Sequence, residues 1–414
     1  MEVHRSRLPL AILGAVVAAG AATLILRPRG GLIEAAAVKP TAYFSGAELK
    51  RAEDFRAGQR LLALGSLAVS GGVLLLVSVR PPRRLLEPLG RHPVLGGAAV
   101  GAGLSLAVVV TSLPLAAVAR QRSLDVGLST QGWGGWLGDV GKSTAIEVVF
   151  AAAGGALALA LVRRFPRHWW APAAVCVVAV GVVTTWLFPV VIDPLFNRFE
   201  PLPQGRLRSD VLELARRAGV DVGQVYRIDA SRRTTGTNAY VNGLGHTKRV
   251  VIYDTLADGF PRDQVRSVVA HELGHQKHRD VVRGLAWLAL VAPAGAFLVQ
   301  ALAERLGRRE GLADPDFRPG PSALPALALS LAVVSFALSS ASMPLSRRIE
   351  SSADAFALRE TRDPAAFIAL ERRLALTNVA DPDPPGFYQL LFGTHPTTTQ
   401  RIGMARAFAR SAER

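Results

Sequence analysis

The sequence predicts a mainly α-helical, polytopic membrane bundle of seven transmembrane helices that carries a polar region with a small β-sheet. Three observations lead there. Half of the 414 residues are apolar and only 19% are charged, below the quarter usual for a soluble chain. Six stretches contain no Asp, Glu, Lys or Arg over the roughly 18–20 residues needed to cross a hydrocarbon core. They are Leu8–Leu26, Leu61–Val79, Pro93–Ala119, Trp169–Ile192, Gly284–Ala303 and Pro319–Ser346. A seventh, Ser143–Val162, is interrupted only by Glu147.

The runs are rich in Ala and Gly, with pairs at Gly96–Gly97 and Gly154–Gly155. Small residues let helix backbones come close where lipid supplies no hydrophobic drive to associate. Ala18–Ala22 resembles a signal-peptide cleavage site, but a 19-residue apolar run is long for a leader, so the first run counts as a span. Residues 1–192 then hold five spans and residues 284–346 hold spans six and seven. Two polar regions, 193–283 and 347–414, must carry the chemistry. In the first, Val225–Ile228, Ala239–Val241 and Val250–Tyr253 read as short strands, the last two joined by a turn at Gly243–Gly245. Asp381–Pro385 reads as a loop.

The formal charge of +16 does not point to nucleic acid. Only 5 of the 48 basic residues are Lys, the mark of an Arg-favouring genome, and no basic-aromatic array or phosphate loop is present. Cys176, alone in an apolar run, can form no intrachain disulfide. Trp133, Trp136, Trp169 and Trp170 flank spans as interface anchors do.

Pro261 opens a helical pattern through Val265, Val268 and Val269 into His271-Glu272-Leu273-Gly274-His275. On a helix, His271 and His275 lie one turn apart on one face, where both imidazoles can hold one Zn2+. Glu272 stands beside them to take a proton from water. Catalytic zinc keeps three protein ligands and one open position. Glu350 is a candidate third ligand, and Asp354, four residues on, would share its helical face as a carboxylate behind the metal. Two spans separate His275 from Glu350, and an even number of crossings returns the chain to the side it left. On spacing alone, a solvated helix carboxylate remains the competing reading of Glu350.

Taken together, these motifs resemble the type I CAAX prenyl endopeptidases, integral-membrane zinc metalloproteases of seven spans. Asp193-Pro194-Leu195-Phe196-Asn197-Arg198-Phe199-Glu200-Pro201-Leu202 is similar to that family's segment after its fifth span. Thr237-Asn238-Ala239-Tyr240 and Lys248–Leu256 resemble its stretch before the zinc helix, and His395-Pro396 with Arg401-Ile402 its C-terminal signature. Gly127–Gln131 with Trp136, Asp139 and Lys142 is similar to its loop before span four. Thr234–Thr237 departs from the Ser-His-Ser run of eukaryotic members.

The resemblance implies a zincin-like catalytic domain with one Zn2+ on His271, His275 and Glu350, and Glu272 as general base and acid. It implies Asp354 orienting His271 or its neighbour, and Asn238, with Ala239 and Tyr240 beside it, holding the substrate backbone. His395, with Arg401, would stabilise the oxyanion. The expected enzyme is a membrane-embedded zinc metalloendopeptidase acting on membrane-associated or C-terminal, CAAX-like peptides, in contact with the lipid bilayer and with no nucleic acid. The composition suggests a multi-pass protein of a bacterial cell membrane. Two other functions are open: a membrane-protein quality-control protease, and a transporter or channel with a structural metal site. The latter would need ionisable residues lining its spans, and only Glu147 is available. No oligomeric state is assigned.

Overall fold

The computed structural model describes residues 7–242, 248–314 and 316–413. The expected Gly243–Gly245 turn lies outside the described residues. Among the described residues, seven helices are long and apolar enough to cross a membrane: Arg7–Leu26, Gly46–Val79, Pro93–Asp125, Trp133–Arg164, Trp170–Phe196, Asp280–Leu306 and Pro321–Thr361. A helix satisfies its own backbone polar groups, which is what lipid requires of a spanning segment. Several helices outrun their apolar cores. The second begins at Gly46 because Ser45 and Glu48 close a capping box there, and its first turns are polar. The seventh does not stop at Ser346; its α-helix runs 38 residues, Leu324–Thr361, and so carries Glu350 and Asp354 on the spanning helix itself.

Small residues set how the spans pack. Ala11, Ala15, Ala19 and Ala22 form the buried stripe of the first span. That span lies against the sixth, where Trp287 Nε1 donates to Thr23 Oγ1 at 3.1 Å. Spans three and four meet backbone to backbone. A Cβ added at Gly101 would fall 2.2 Å from the Ala151 carbonyl oxygen, and one at Gly155 would fall 2.4 Å from that of Gly97. Gly97 and Gly101 are four apart, the small-xxx-small spacing of close helix pairs. The fifth span loosens into a π-helical turn at Phe188–Ile192, at Pro189, before closing on Asp193–Phe196.

The chain then builds a four-stranded sheet from β1 (Phe199–Pro201), β2 (Gln224–Ile228), β3 (Ala239–Asn242) and β4 (Arg249–Tyr253), in the order β1-β2-β4-β3. β2 and β4 run parallel, and β3 pairs antiparallel with β4 in the register Ala239↔Ile252, leaving β3 at an edge. β1 was not expected from the sequence. Its three residues include Pro201, tolerated because β1 is the other edge strand. Val225, Val250, Ile252, Leu214, Val265, Val269 and Leu273 form the core between sheet, helix Arg206–Ala218 and helix Arg262–Lys277.

Two segments tie the membrane half to this domain. The loop before span four lies along residues 233–235: Thr130 N donates to Arg233 O and Thr235 N to Leu128 O, both at 3.0 Å. Arg233 Nε is 2.8 Å from Asp139 Oδ2. The segment after span one crosses the C-terminal helix Thr398–Ala412, with Ala36 N donating to Gly403 O at 3.1 Å.

The glycine seam makes a direct prediction. Gly101→Leu forces spans three and four apart and lowers stability by about 1–3 kcal/mol. Gly103→Ala on the same helix, with nothing within 4 Å of its added Cβ, does not lower stability. Thermal unfolding of the two variants in detergent checks this, and equal melting temperatures would contradict it.

Candidate metal centre

The helix Arg262–Lys277 starts at Pro261, whose missing N–H is no loss at a helix start. It buries Val265, Val269 and Leu273 against the sheet, which turns His271 and His275 toward the seventh span. Ligand atoms of His271, His275 and Glu350 lie within 4.8 Å of one another. The two Nε2 atoms are 3.1 Å apart. Glu350 Oε2 is 3.3 Å from His271 Nε2, and its Oε1 is 3.7 Å from His275 Nε2.

Each imidazole is backed by a carboxylate. His271 Nδ1 is 2.8 Å from Asp354 Oδ1, and His275 Nδ1 is 3.0 Å from Asp280 Oδ2. Ionised carboxylates only accept hydrogen bonds, so Asp354 and Asp280 hold a proton on Nδ1 of each ring and leave Nε2 as the nitrogen that would bind a cation, both Nε2 atoms facing the same point. Glu350 Oε2, buried there, accepts no hydrogen bond. Two lone pairs and a carboxylate oxygen facing one space fit a divalent cation, and a set of two imidazoles and one glutamate is that of hydrolytic zinc sites.

The electrostatics agree. Burial pushes the His271 pKa down, but the neighbouring Asp354 and Glu350 carboxylates outweigh it and hold the ring at about 10, so the place favours positive charge, whether a proton or a cation on Nε2. Burial raises the Glu272 carboxyl above its usual range, against the pull of His271 and His275. A raised pKa suits a group that must take and return a proton.

His395 reaches the cluster from the loop before the last helix, its Nε2 3.2 Å from Glu350 Oε2 and its ring more than half exposed. Arg401, expected beside it at the oxyanion, points elsewhere. Its Nε donates to Asp354 Oδ2 at 2.8 Å, its Nη2 also meets Asp354, and its Nη1 is 2.9 Å from Glu371. Asn238 is exposed at the start of edge strand β3, and Ala239 is buried in the core. Tyr240 is half-buried, its hydroxyl 3.4 Å from Asp193 Oδ2. His278 stays out of the cluster, edge-on to Phe356 with Nδ1 3.2 Å from Ser352 Oγ. Trp133 and Trp136 flank the buried Arg120, 5.1 and 5.5 Å from its guanidinium.

Two residues of the site had not been singled out. Asp280 is five beyond His275, and a continuing helix would carry it off the shared face. The helix instead ends at Lys277, Arg279 takes a left-handed φ of 54°, and the chain turns there into the next helix, which begins at Asp280. Glu371 did leave a signal. It falls on the buried stripe Ala366, Phe367, Leu370 and Ala375 of helix Pro364–Thr377, where an acid needs a partner.

Comparison with known proteins agrees with this architecture. Residues 201–409 match the model of peptidase family M48, and residues 89–198 match that of the CAAX prenyl protease N-terminal, five membrane helices. An uncharacterized metalloprotease of Bacillus subtilis, YhfN, is 33% identical over 300 residues, 72% of this chain and 70% of that protein. CAAX prenyl protease 1 of Saccharomyces cerevisiae is 33% identical over 148 residues, 36% of this chain and 33% of its own length. The crystal structure of S. mikatae Ste24p superposes with a TM-score of 0.77 at 19% identity, covering 98% of this chain and 99% of that one, a likeness of fold. The chain is thus a member of peptidase family M48, a membrane metalloendopeptidase of the CAAX prenyl protease group.

Proposed function

We propose that the chain is a zinc endopeptidase cutting membrane-associated or C-terminal, CAAX-like peptides, with Zn2+ held by His271, His275 and Glu350. The convergence of those three ligand atoms within 4.8 Å carries the reading. Zinc, when bound, supplies an acidified water, pKa near ~7, and a positive charge for the substrate carbonyl. Glu272 takes the proton of the attacking water and returns it to the leaving amine. His395 donates from Nε2 to the oxygen on which negative charge develops. Asp354 and Asp280 fix the tautomers of His271 and His275. Arg401, held between Asp354 and Glu371, is a positioning residue that acts through Asp354.

The substrate adds to the edge of β3 that no strand of the sheet pairs with, as an extended strand, so its backbone is gripped and its side chains alternate between walls. Asn238 begins that edge, with Ala239 and Tyr240 following. Gln276, next to His275, already donates to Val241 O at 3.1 Å, which supports the view that this edge faces the metal. Several relatives named CAAX prenyl protease 1 support a C-terminal, CAAX-like bond as the target. The Bacillus subtilis relative and the Arg-rich composition support a bacterial cell membrane as the location.

Three measurements test this reading. Glu272→Gln keeps its zinc and loses peptide hydrolysis by about 10²–10⁴-fold; full hydrolysis by that variant refutes the role of Glu272. Asp280→Asn and Asp354→Asn each weaken zinc binding by about 10–100-fold, read by chelator competition without any activity assay. Undiminished affinity in either would show that its carboxylate does not orient a ligand. A peptide N-methylated at the residue facing β3 raises KM, whereas methylation one residue along does not; equal KM values would exclude strand addition.

A further inference from the structure

We infer that Arg347 is a positioning residue for His395, and that the helix supplying the third metal ligand thereby also sets the reach of the oxyanion donor. The inference rests on the proposed role of His395. His395 lies in the short connection between helices Gly386–Phe392 and Thr398–Ala412 and is largely exposed, so packing alone does not fix it. Arg347 sits three residues before Glu350 on the seventh span's helix, close to one turn away. Its Nη1 donates to the carbonyl oxygens of Gln389 at 2.9 Å and Gly393 at 2.8 Å.

Those two carbonyls bracket the end of the Gly386–Phe392 helix: Gln389 O already accepts from Gly393 N at 3.1 Å and takes Arg347 as a second donor, and the Gly393 carbonyl lies just past the last helical residue. Gln389 completes the frame, its Nε2 donating to His395 O at 2.6 Å. Gly393 has no room for a Cβ, which would fall 2.3 Å from Gln389 Oε1. The loop is therefore strapped to Arg347 at one end, and the His395 backbone is strapped to Gln389 at the other. Thr394 Oγ1 meets His395 Nδ1 at 2.8 Å, leaving Nε2 aimed at Glu350 Oε2, 3.2 Å away. A charged donor on two carbonyls holds a loop more firmly than neutral contacts do. Arg347 touches neither Glu350's carboxylate nor the substrate edge β3 in any hydrogen bond described.

The test is a double-mutant cycle on the full-length zinc-loaded protein in detergent, using an internally quenched fluorogenic peptide with a CAAX-type C-terminus. Arg347→Ala should lower kcat roughly 10- to 100-fold, the scale of an ångström-sized misplacement, with KM and zinc affinity held within about twofold. Arg347→Lys, which keeps a cationic donor, should recover most of that loss. In a His395→Ala background, Arg347→Ala should cost less than about twofold more, since the group it positions is already gone. Gln389→Ala runs through the same cycle and serves if Arg347→Ala fails to fold. Independent, multiplying losses overturn the inference, as does a zinc affinity that falls in step with kcat. If His395→Ala alone cleaves at the wild-type rate, the reading of His395 fails and this inference with it; if His395→Ala is slow and the losses multiply, only this inference fails.

Discussion

One missing side chain sets the distances at the centre. Gly274, inside the HExxH helix, faces Ala353 on the seventh span's helix; a Cβ there would lie 3.2 Å from the Ala353 Cα and 3.2 Å from Phe356 Cδ1. The residues around this contact are arranged alike on both helices. His271 and His275 stand three before and one after Gly274, and Glu350 and Asp354 stand three before and one after Ala353. Residues at −3 and +1 share a helical face. Two helices touching at their smallest residues therefore bring two imidazoles and two carboxylates to one place. A larger residue at 274 would separate the helices, and the ligand set would open before any ligand was changed.

Holding those charges away from water creates the second constraint. Asp354 is wholly buried, and His271 and Glu371 nearly so. Buried charges are tolerated only when paired and hydrogen-bonded. The pairing runs Glu371 to Arg401 to Asp354 to His271 without a gap. Arg401 brings the C-terminal helix to the His-His-Glu cluster, and two residues later Gly403 lies against the strap that follows span one. A Cβ at Gly403 would meet the Ala36 carbonyl oxygen at 2.2 Å. The first loop, the last helix and the metal helix thus depend on one another through a few buried contacts.

How much of this could be read from the letters depended on whether the signal was local. Apolar runs and the HExxH spacing are local, and the spans and the zinc helix lie where those patterns put them. The seventh helix extends through Glu350 because Arg347 and Arg348, which end the apolar run, remain good helix formers; hydropathy marks where lipid ends, not where a helix does. Asp280 depends on the left-handed turn at Arg279, which periodicity cannot foresee. Arg401 matched a family signature in sequence, but its direction is set by Asp354 and Glu371 on other helices, a tertiary fact. Arg233 and Arg249 stand in charged pairs flanking strands, Arg232-Arg233 and Lys248-Arg249, and such pairs are ordinarily solvated. The two arginines instead hold Asp139 and the Pro189 carbonyl, joining the sheet to the spans.

The two ligand-bearing helices also fix the height of the site relative to the bilayer. The apolar run of span seven ends at Ser346, and Glu350 follows four residues later, about 6 Å along an unbroken helix. From the other side, His275 is five residues before Asp280, where the sixth span's helix begins, and its own imidazole is bonded to that residue. Glu350 is therefore about one turn beyond the apolar run of span seven, and His275 is hydrogen-bonded to the first residue of the sixth span's helix. The edge strand β3 is bound to the same level: Gln276 bonds to Val241, and Arg249, paired with Asn242, bonds to Pro189 in span five. The His-His-Glu cluster thus sits beside the ends of two candidate spans, a placement built from helix lengths.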